Sequence, residues 1–260
     1  MSQGPTISPS TSVHPSAVLS DGVVIGPNAV VEAGVSIGAG SEVLAGSVLH
    51  AGSVVGERCR LGPYAIIGGE PMDTSFRGEP SSAVLEDDVS VREFATVHRA
   101  TGEGAETRVG AGTLVMSYVH VSHNVKVGRG CVLTTSVQLG GHCEIGDHAV
   151  IGSSSVLHQF CRIGAYAMYG AASASNMDVL PFSLARGNPA RHYRLNSVGL
   201  KRHGFEGERY RAIERALRLV RSRDLDELQA LAAQSEEARL MLDFVRTTKR
   251  GVLRFVKAGG

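Results

Sequence analysis

Tryptophan is absent from the 260-residue sequence, and tyrosine and phenylalanine together supply only 5% of its residues. Few large aromatic side chains are therefore available for a core, which favours a narrow interior filled by aliphatic residues. Single-strand binding also relies on aromatic side chains that stack on bases, and no nucleic-acid-binding motif occurs in the chain. We expect no nucleic-acid partner.

Long apolar runs are missing as well. The polar start, Met1 to Thr11, carries neither a basic region nor an apolar stretch, so neither a signal peptide nor a membrane span is expected. These features predict a cytoplasmic protein.

The four cysteines include no CxxC pair, which argues against a zinc-binding motif or a disulfide framework. All four fall at the same position of the repeat described next, where they replace Ala, Ser or Val. We expect them to be small buried side chains. They are Cys59, Cys131, Cys143 and Cys161.

An aliphatic residue returns every sixth position through most of the first 163 residues. A six-residue period fits neither an amphipathic helix nor an alternating strand, so it indicates a repeating supersecondary unit. The register is interrupted twice and then resumes. Its members are Val13, Leu19, Ile25, Val31, Ile37, Val43, Leu49, Val55, Leu61, Ile67, Leu85, Val91, Val97, Val109, Val115, Val121, Val127, Leu133, Leu139, Ile145, Ile151, Leu157 and Ile163.

Each hexad predicts one short strand and a turn. The second position is often Gly, which we expect to supply the backbone angles of tight corners, and the fifth is small, as a narrow interior requires. Three hexads make a triangular coil, and coils stack as parallel strands about 4.8 Å apart. The sequence thus predicts a mainly β fold, a hexapeptide-repeat parallel β-helix over residues 1–190, with insertions near 69–84 and 100–108. Known proteins with this repeat wind left-handed, so that hand is expected by resemblance.

The repeat ends near Val179 to Pro181, and the composition shifts toward Arg, Leu, Ala and Glu with helical periodicity. Residues 191–260 are therefore predicted to form a small α-helical C-terminal domain that covers the open end of the β-helix. The expected helices reach from Asn196 or Ser197 to Arg202, from Glu206 to Arg221, from Leu225 to Ala233 after an Asp224 cap, and from Glu236 to Thr248.

Charge divides along the same boundary. Residues 1–190 hold 10 basic and 16 acidic side chains, a net charge of −6, whereas residues 191–260 hold 16 and 9, a net charge of +7. The basic region can attract an acidic protein or a phosphorylated ligand, although a solvated helix face explains the charge equally well.

Histidines supply most of the polar exceptions within the repeat. His123, His142 and His158 belong to hexads spaced by eighteen residues, so they are expected to form a rough column, with His120 beside His123. Imidazole is the usual general base for a hydroxyl or amine nucleophile. Three histidines can also bind catalytic zinc, but hexapeptide-repeat carbonic anhydrases use a different spacing from His120-x-x-His123. We predict no metal and no cofactor.

Several segments together resemble the cytoplasmic UDP-N-acetylglucosamine O-acyltransferases that begin lipid A synthesis in Gram-negative bacteria. The resemblance covers nearly the whole chain, and in combination these segments are far more specific than the hexads. They are Gly69-Glu70-Pro71-Met72-Asp73 through Arg77-Gly78-Glu79-Pro80, Val97-His98-Arg99, His120-Val121-Ser122-His123, Leu139-Gly140-Gly141-His142, Val156-Leu157-His158-Gln159-Phe160-Cys161 and Gly199-Leu200-Lys201-Arg202.

The resemblance implies an enzyme that moves a 3-hydroxyacyl chain from acyl carrier protein to the sugar 3-hydroxyl of UDP-N-acetylglucosamine. It makes His123 the general base and the Gly141 N–H the oxyanion donor. It also implies a homotrimer with sites between subunits, and basic C-terminal helices facing acyl carrier protein. Positions near the sugar and acyl chain are Asp73, His98, His120, His142, His158, Gln159 and Ala171; positions near the nucleotide are Asn196 and Arg202.

The sequence departs from the family pattern at several of these sites. Asn124 stands where the family often has Asp, Ser75 replaces a familiar Lys, and Met72 a Gln. Val198 and His203 replace an acidic and a basic residue near the expected nucleotide. These changes leave open whether the acceptor carries a 3-hydroxyl or a 3-amino group. Ala171 in place of Gly predicts a shorter acyl chain than the longest the family uses.

Three other functions remain possible on the sequence. The related N-acyltransferase of the same pathway carries a uridine-binding domain before its β-helix, whereas hexads here begin by Val13. A coenzyme A-dependent acetyltransferase would use acetyl-coenzyme A without carrier protein. A non-enzymatic β-helical scaffold would bind ligands without turnover.

Overall fold

The computed structural model describes residues 4–256; residues 1–3 and 257–260, at the ends of the two predicted regions, lie outside the described residues. Most strands are two residues long, as a six-residue repeat requires. The strands in chain order are β1 Thr6–Ile7, β2 Ser12–Val13, β3 Val18–Leu19, β4 Val24–Ile25, β5 Val30–Val31, β6 Ser36–Ile37, β7 Glu42–Val43, β8 Val48–Leu49, β9 Ser53–Val55, β10 Arg60–Leu61, β11 Ile66–Gly69, β12 Ser82–Leu85, β13 Ser90–Val91, β14 Thr96–His98, β15 Glu106–Val109, β16 Leu114–Val115, β17 His120–Val121, β18 Lys126–Val127, β19 Val132–Leu133, β20 Gln138–Leu139, β21 Glu144–Ile145, β22 Val150–Ile151, β23 Val156–Leu157, β24 Arg162–Ile163, β25 Met168–Tyr169, β26 Ala174–Ser175, β27 Ser183–Gly187 and β28 Ala190–Leu195.

These strands form the three faces of a prism. Sheet A starts with β1 and takes every third strand to β25, then adds β27 and the antiparallel β28; sheet B runs from β2 to β26, and sheet C from β3 to β24. Pairing in the coils is parallel and in register, so each first-position aliphatic residue lies over that of the next coil, as Val121 lies over Leu139. The predicted parallel β-helix is confirmed.

The interior of the β-helix is narrow and apolar. First-position aliphatic residues from β4 onward are buried, and the small fifth-position residues fill the space between them. All four cysteines are buried and free, as expected. Burial raises the pKa of the Cys131 and Cys143 thiols to about 12, so these groups stay protonated.

The second-position glycines serve a different purpose from the one expected. Positive backbone φ falls mainly at the fourth hexad position, as at Asn28, Arg58 and Asn124. At the second position a Cβ would collide with the next coil: at Gly38 it would lie 2.5 Å from the carbonyl carbon of Gly56. Glycine is therefore needed there for close approach of the stacked backbones.

Four helices follow the coils: α1 Ser197–Arg202, α2 Gly207–Ser222, α3 Leu225–Ala232 and α4 Glu236–Thr247. Asn196, Asp224 and Ser235 cap α1, α3 and α4 through their side-chain oxygens. The predicted helices occur within one or two residues of their expected bounds, but β28 crosses the expected boundary at residue 190. Described residues contain no helix long and apolar enough to cross a membrane.

The helices pack over the end of the β-helix. Leu180 and Phe182, just past the last coil, join a second hydrophobic cluster with residues of all four helices. The fully buried His192 ties this region together, because its Nε2 accepts from the Leu180 N–H at 2.9 Å and its Nδ1 donates to the Leu253 carbonyl at 3.0 Å.

Candidate active site

Polar side chains concentrate where sheet-B strands turn into sheet-C strands. We call this the B–C edge. Both insertions lie here: residues 70–81 connect β11 to β12, and residues 99–105 connect β14 to β15. The insertions are joined, since the Glu79 carboxylate accepts from the Gly102 N–H at 2.7 Å, and Arg99 covers the Phe76 ring at 5.0 Å. They bring Asp73 toward His123, which follows β17, two coils beyond β11.

His123 is 7% exposed, and its ring is held by Asn124. Asn124 Oδ1 accepts from the Thr101 N–H at 3.0 Å, and its Nδ2 donates to the Thr101 carbonyl at 2.9 Å, which fixes the orientation of the amide. His123 Nδ1 lies 2.9 Å from that oxygen and must donate to it. The neutral ring therefore keeps its lone pair on Nε2, the arrangement a general base needs.

The negative charge near His123 is carried by Asp73 in the first insertion, because the residue next to His123 in the chain is the neutral Asn124. Asp73 Oδ2 lies 3.8 Å from His123 Nδ1, while Asp73 Oδ1 accepts from the N–H and the hydroxyl of Ser75, each at 2.9 Å. These hydrogen bonds, and secondarily the His123 ring, lower the pKa of Asp73, so the carboxylate is ionised at neutral pH. Ser75 thus holds Asp73 in place.

The Gly141 backbone lies directly against the His123 ring. A Cβ at this position would lie 2.5 Å from His123 Nε2. Among the residues that the structure describes, the Gly141 N–H has no hydrogen-bond acceptor, although the next N–H, of His142, donates to the His123 carbonyl at 3.0 Å. The residue packed against His123 Nε2 therefore carries an unpaired backbone donor.

Three further histidines surround this pair. The His142 ring meets His123 edge-on at 5.2 Å and stacks on Phe160 at 4.7 Å, and burial lowers its pKa. On the outer face of sheet B, His98 and His120 lie 5.0 Å apart, with His120 bonded to the Thr96 hydroxyl at 2.9 Å. Burial, with help from His98 and His123, lowers the pKa of His120 to about 4, so this ring is neutral.

His158 and Gln159 lie one coil beyond Gly141 on the same edge. His123 and His142 make the contact expected of a column, whereas the His158 ring is bonded to Arg250, which follows α4. Sequence reasoning missed Arg250 because it stands 92 residues away and outside any repeat.

The remaining predicted residues lie on other edges of the prism. Ala171 is exposed at the turn from β25 to β26, where sheet A leads into sheet B. Asn196 donates to the Tyr166 carbonyl at 2.9 Å, which fixes α1 beside the turn from sheet C to sheet A. Arg202 is exposed at the end of α1, and the neighbouring His203 packs on His148 at 4.7 Å. A single chain therefore does not bring Ala171, Asn196 or Arg202 to His123.

One set of side chains within the described residues can hold a metal ion. Asp73, His123 and His142 each offer a ligand atom, and these atoms lie within 4.8 Å of one another. Two imidazoles and a carboxylate suit a divalent transition metal. An ion bound here would coordinate a ring nitrogen of His123, the residue expected to act as the base.

Comparison with known proteins identifies the family. Over 255 residues the chain is 42% identical to the acyl-[acyl-carrier-protein]--UDP-N-acetylglucosamine O-acyltransferase of Myxococcus xanthus, a match that covers 95% of this chain and 99% of that protein. The chain belongs to the UDP-N-acetylglucosamine O-acyltransferase family. The relative from Xanthomonas oryzae pv. oryzae is also 42% identical, over 260 residues that cover 97% of this chain and 99% of its own. The family model "Udp N-acetylglucosamine O-acyltransferase; Domain 2" matches residues 178–253.

Solved structures of this family share the whole architecture. The UDP-N-acetylglucosamine acyltransferase of Francisella novicida superposes with a TM-score of 0.93 at 31% identity, covering 96% of this chain and 94% of that one. The Campylobacter jejuni enzyme gives a TM-score of 0.90 at 32% identity, covering 96% and 100%. Structures of this family are left-handed β-helices, and the predicted hand is confirmed.

Proposed function

We propose that this chain transfers a 3-hydroxyacyl group from acyl carrier protein to the glucosamine 3-hydroxyl of UDP-N-acetylglucosamine, the first step of lipid A synthesis, with His123 as general base. Family membership supports the substrates, because relatives that match nearly the full length carry this activity in their names. The observation that carries the role of His123 is its Nδ1 contact with the fixed oxygen of Asn124, which leaves Nε2 free to accept a proton.

The proposed reaction uses two groups, the His123 ring and the Gly141 N–H. His123 Nε2 removes the proton of the sugar 3-hydroxyl as its oxygen attacks the thioester carbonyl carbon. The resulting oxyanion accepts from the Gly141 N–H, a contact typically worth ~3 kcal/mol of barrier. When the C–S bond breaks, the imidazolium returns the proton to the departing thiolate. Asp73, at 3.8 Å from Nδ1, stabilises the transient imidazolium.

Neutral donors and acceptors around this centre suit a sugar. We propose that His98, His120, His142 and Gln159 contact the sugar or the acyl chain. The lowered pKa values of His120 and His142 support this role, since neutral imidazoles can donate or accept hydrogen bonds to hydroxyl groups without attracting a counter-ion. Asn196 and Arg202 are proposed to bind the nucleotide, Arg202 through its forked contacts with phosphate.

A homotrimer would complete the site. Within one chain the predicted residues occupy three separate edges of the prism, and cyclic association of three prisms can set one edge against a different edge of the neighbour. We propose that His123 of one subunit faces Asn196, Arg202 and Ala171 from neighbouring subunits. The basic faces of the helices would then meet acidic acyl carrier protein. A cytoplasmic location stays a prediction, which cell fractionation tests.

The activity is tested by mass spectrometry of reactions that contain UDP-N-acetylglucosamine and 3-hydroxyacyl carrier proteins of several chain lengths. We expect a product heavier by one hydroxyacyl group with the wild type and none with His123→Ala at unchanged thermal stability. Ala171→Gly should shift the preference toward longer chains.

Two further reactions separate the alternatives. Product formed only with a 3-amino acceptor, or with acetyl-coenzyme A in place of carrier protein, would identify a different acyltransferase. Nucleotide-sugar binding without turnover under all these conditions would support a scaffold.

A further inference from the structure

Residues 248–256, which follow α4, return to the last coils of the β-helix. We call them the C-terminal strap. Its anchor is the buried carboxylate of Asp178, which accepts from the Arg162 N–H at 2.8 Å and the Thr248 hydroxyl at 2.7 Å. Backbone hydrogen bonds from the Asp178 N–H to the Gly251 carbonyl and from the Leu253 N–H to the Asp178 carbonyl, at 2.8 and 2.9 Å, fix the strap just after Arg250, while the Thr248 contact fixes it just before.

From this strap Arg250 reaches the B–C edge. Its Nη2 lies 2.8 Å from His158 Nδ1 and 2.8 Å from the Gln159 carbonyl oxygen. A guanidinium group only donates hydrogen bonds, so His158 Nδ1 must accept. The ring proton of neutral His158 therefore resides on Nε2.

The same surroundings offer His158 a second arrangement. Its Nδ1 also lies 3.2 Å from the Gln159 carbonyl oxygen, which would accept a hydrogen bond from a protonated Nδ1 if Arg250 were absent. In that tautomer Nε2 would be a hydrogen-bond acceptor. Arg250 therefore determines whether Nε2 of His158 is a hydrogen-bond donor or a hydrogen-bond acceptor.

We propose that Arg250 is a positioning residue, which holds His158 in the Nε2–H tautomer so that the ring donates a hydrogen bond to the substrate. This inference rests on the proposed function only in naming a substrate as the acceptor; the tautomer itself belongs to the free protein. Charge assistance makes the contact stronger than one between neutral groups.

The tautomer is measured by nitrogen NMR of protein labelled with ¹⁵N-histidine at pH ~8.5, where free imidazole is neutral. His158→Gln assigns the signals. We expect the proton on Nε2 in the wild type and on Nδ1 in Arg250→Ala. Lys249→Ala removes the same charge from the adjacent exposed position and should leave the wild-type pattern. An unchanged tautomer in Arg250→Ala would overturn the proposal, whether or not the protein is an acyltransferase.

Steady-state kinetics test whether Arg250 affects acyl transfer through His158. In Arg250→Ala we expect kcat/KM for acyl transfer to fall roughly 10- to 100-fold, the usual range for loss of a charge-assisted hydrogen bond. Added guanidinium ion should restore part of this loss in Arg250→Ala and have no such effect on the wild type. Wild-type kinetics in a variant whose tautomer has switched would refute positioning, while a failed proposed function would instead show as no turnover in the wild type.

Discussion

Replacement of Gly141 by alanine tests the arrangement of the proposed base most sharply. The added Cβ would lie 2.5 Å from His123 Nε2 and 2.6 Å from Cε1, whereas ordinary van der Waals contact begins near 3.4 Å. The ring must therefore move by about 0.9 Å, the difference between the two distances. Gly141 has no positive φ, so alanine fits its backbone, and the substitution retains the backbone N–H.

A displacement of ~1 Å in a reacting group can cost about 100-fold in rate, or ~2.7 kcal/mol of barrier. We expect a loss of this size in kcat for Gly141→Ala and a thermal unfolding midpoint close to that of the wild type. The assay is steady-state acyl transfer by mass spectrometry, with thermal unfolding measured on the same samples.

The adjacent glycine provides the matched control. A Cβ at Gly140 would lie 2.7 Å from the Gln159 backbone nitrogen and 3.0 Å from the Leu157 carbonyl oxygen, so the clash falls on the stacked coil. Gly140→Ala should lower stability clearly. If Gly141→Ala kept wild-type kcat, or lost activity only by unfolding as Gly140→Ala should, the reasoning about His123 would be refuted.

Two further predictions concern the surroundings of His123, and a third concerns the buried ring of His192. Asn124→Gly keeps the left-handed backbone (φ 58° in the wild type) but frees the His123 ring, so kcat should fall 10-fold or more with the fold retained; wild-type kcat would contradict the orienting role. Burial lowers the pKa of His192 to about 4, so as pH falls below ~6.5 this histidine is protonated in the unfolded chain before it is protonated in the folded one. The free energy of unfolding measured with urea should therefore fall progressively, by roughly 3 kcal/mol from this ring at pH ~4. A free energy of unfolding that stays constant from pH 7 to 5 would argue against this. Micromolar Zn²⁺ should inhibit through Asp73, His123 and His142, and His142→Gln should weaken that inhibition; equal inhibition of both proteins would place the ion elsewhere.

The six-residue register was enough to predict the coil, because one aliphatic residue per strand and a small fifth residue leave few other ways to bury the chain. The reason for second-position glycine was not predictable in the same way. Corner angles and close approach both demand glycine, and only the stacked coils show that Gly38 is limited by the backbone of Gly56.

The candidate site was predicted where the repeat is broken and missed where contacts are distant. His123 and Gly141 belong to short motifs, and the resemblance of those motifs to the acyltransferase family is what indicated them as a pair. The support of His123 by Asp73, which is carried across by an insertion, and the pairing of His158 with Arg250 depend on where irregular segments fold back. No period in the sequence records those positions.

Subunit mixing tests directly whether a site built around His123 is completed by a neighbouring chain. His123→Ala chains, which lack the base, and Arg202→Ala chains, which should bind the nucleotide sugar weakly, are co-expressed in equal amounts and purified as mixed oligomers. They are assayed at a UDP-N-acetylglucosamine concentration low enough that each variant alone is nearly inactive. If the two residues meet across an interface, about a quarter of the sites receive both native side chains, and about a quarter of wild-type activity should return. Activity no higher than the average of the two separate variants would contradict a shared site.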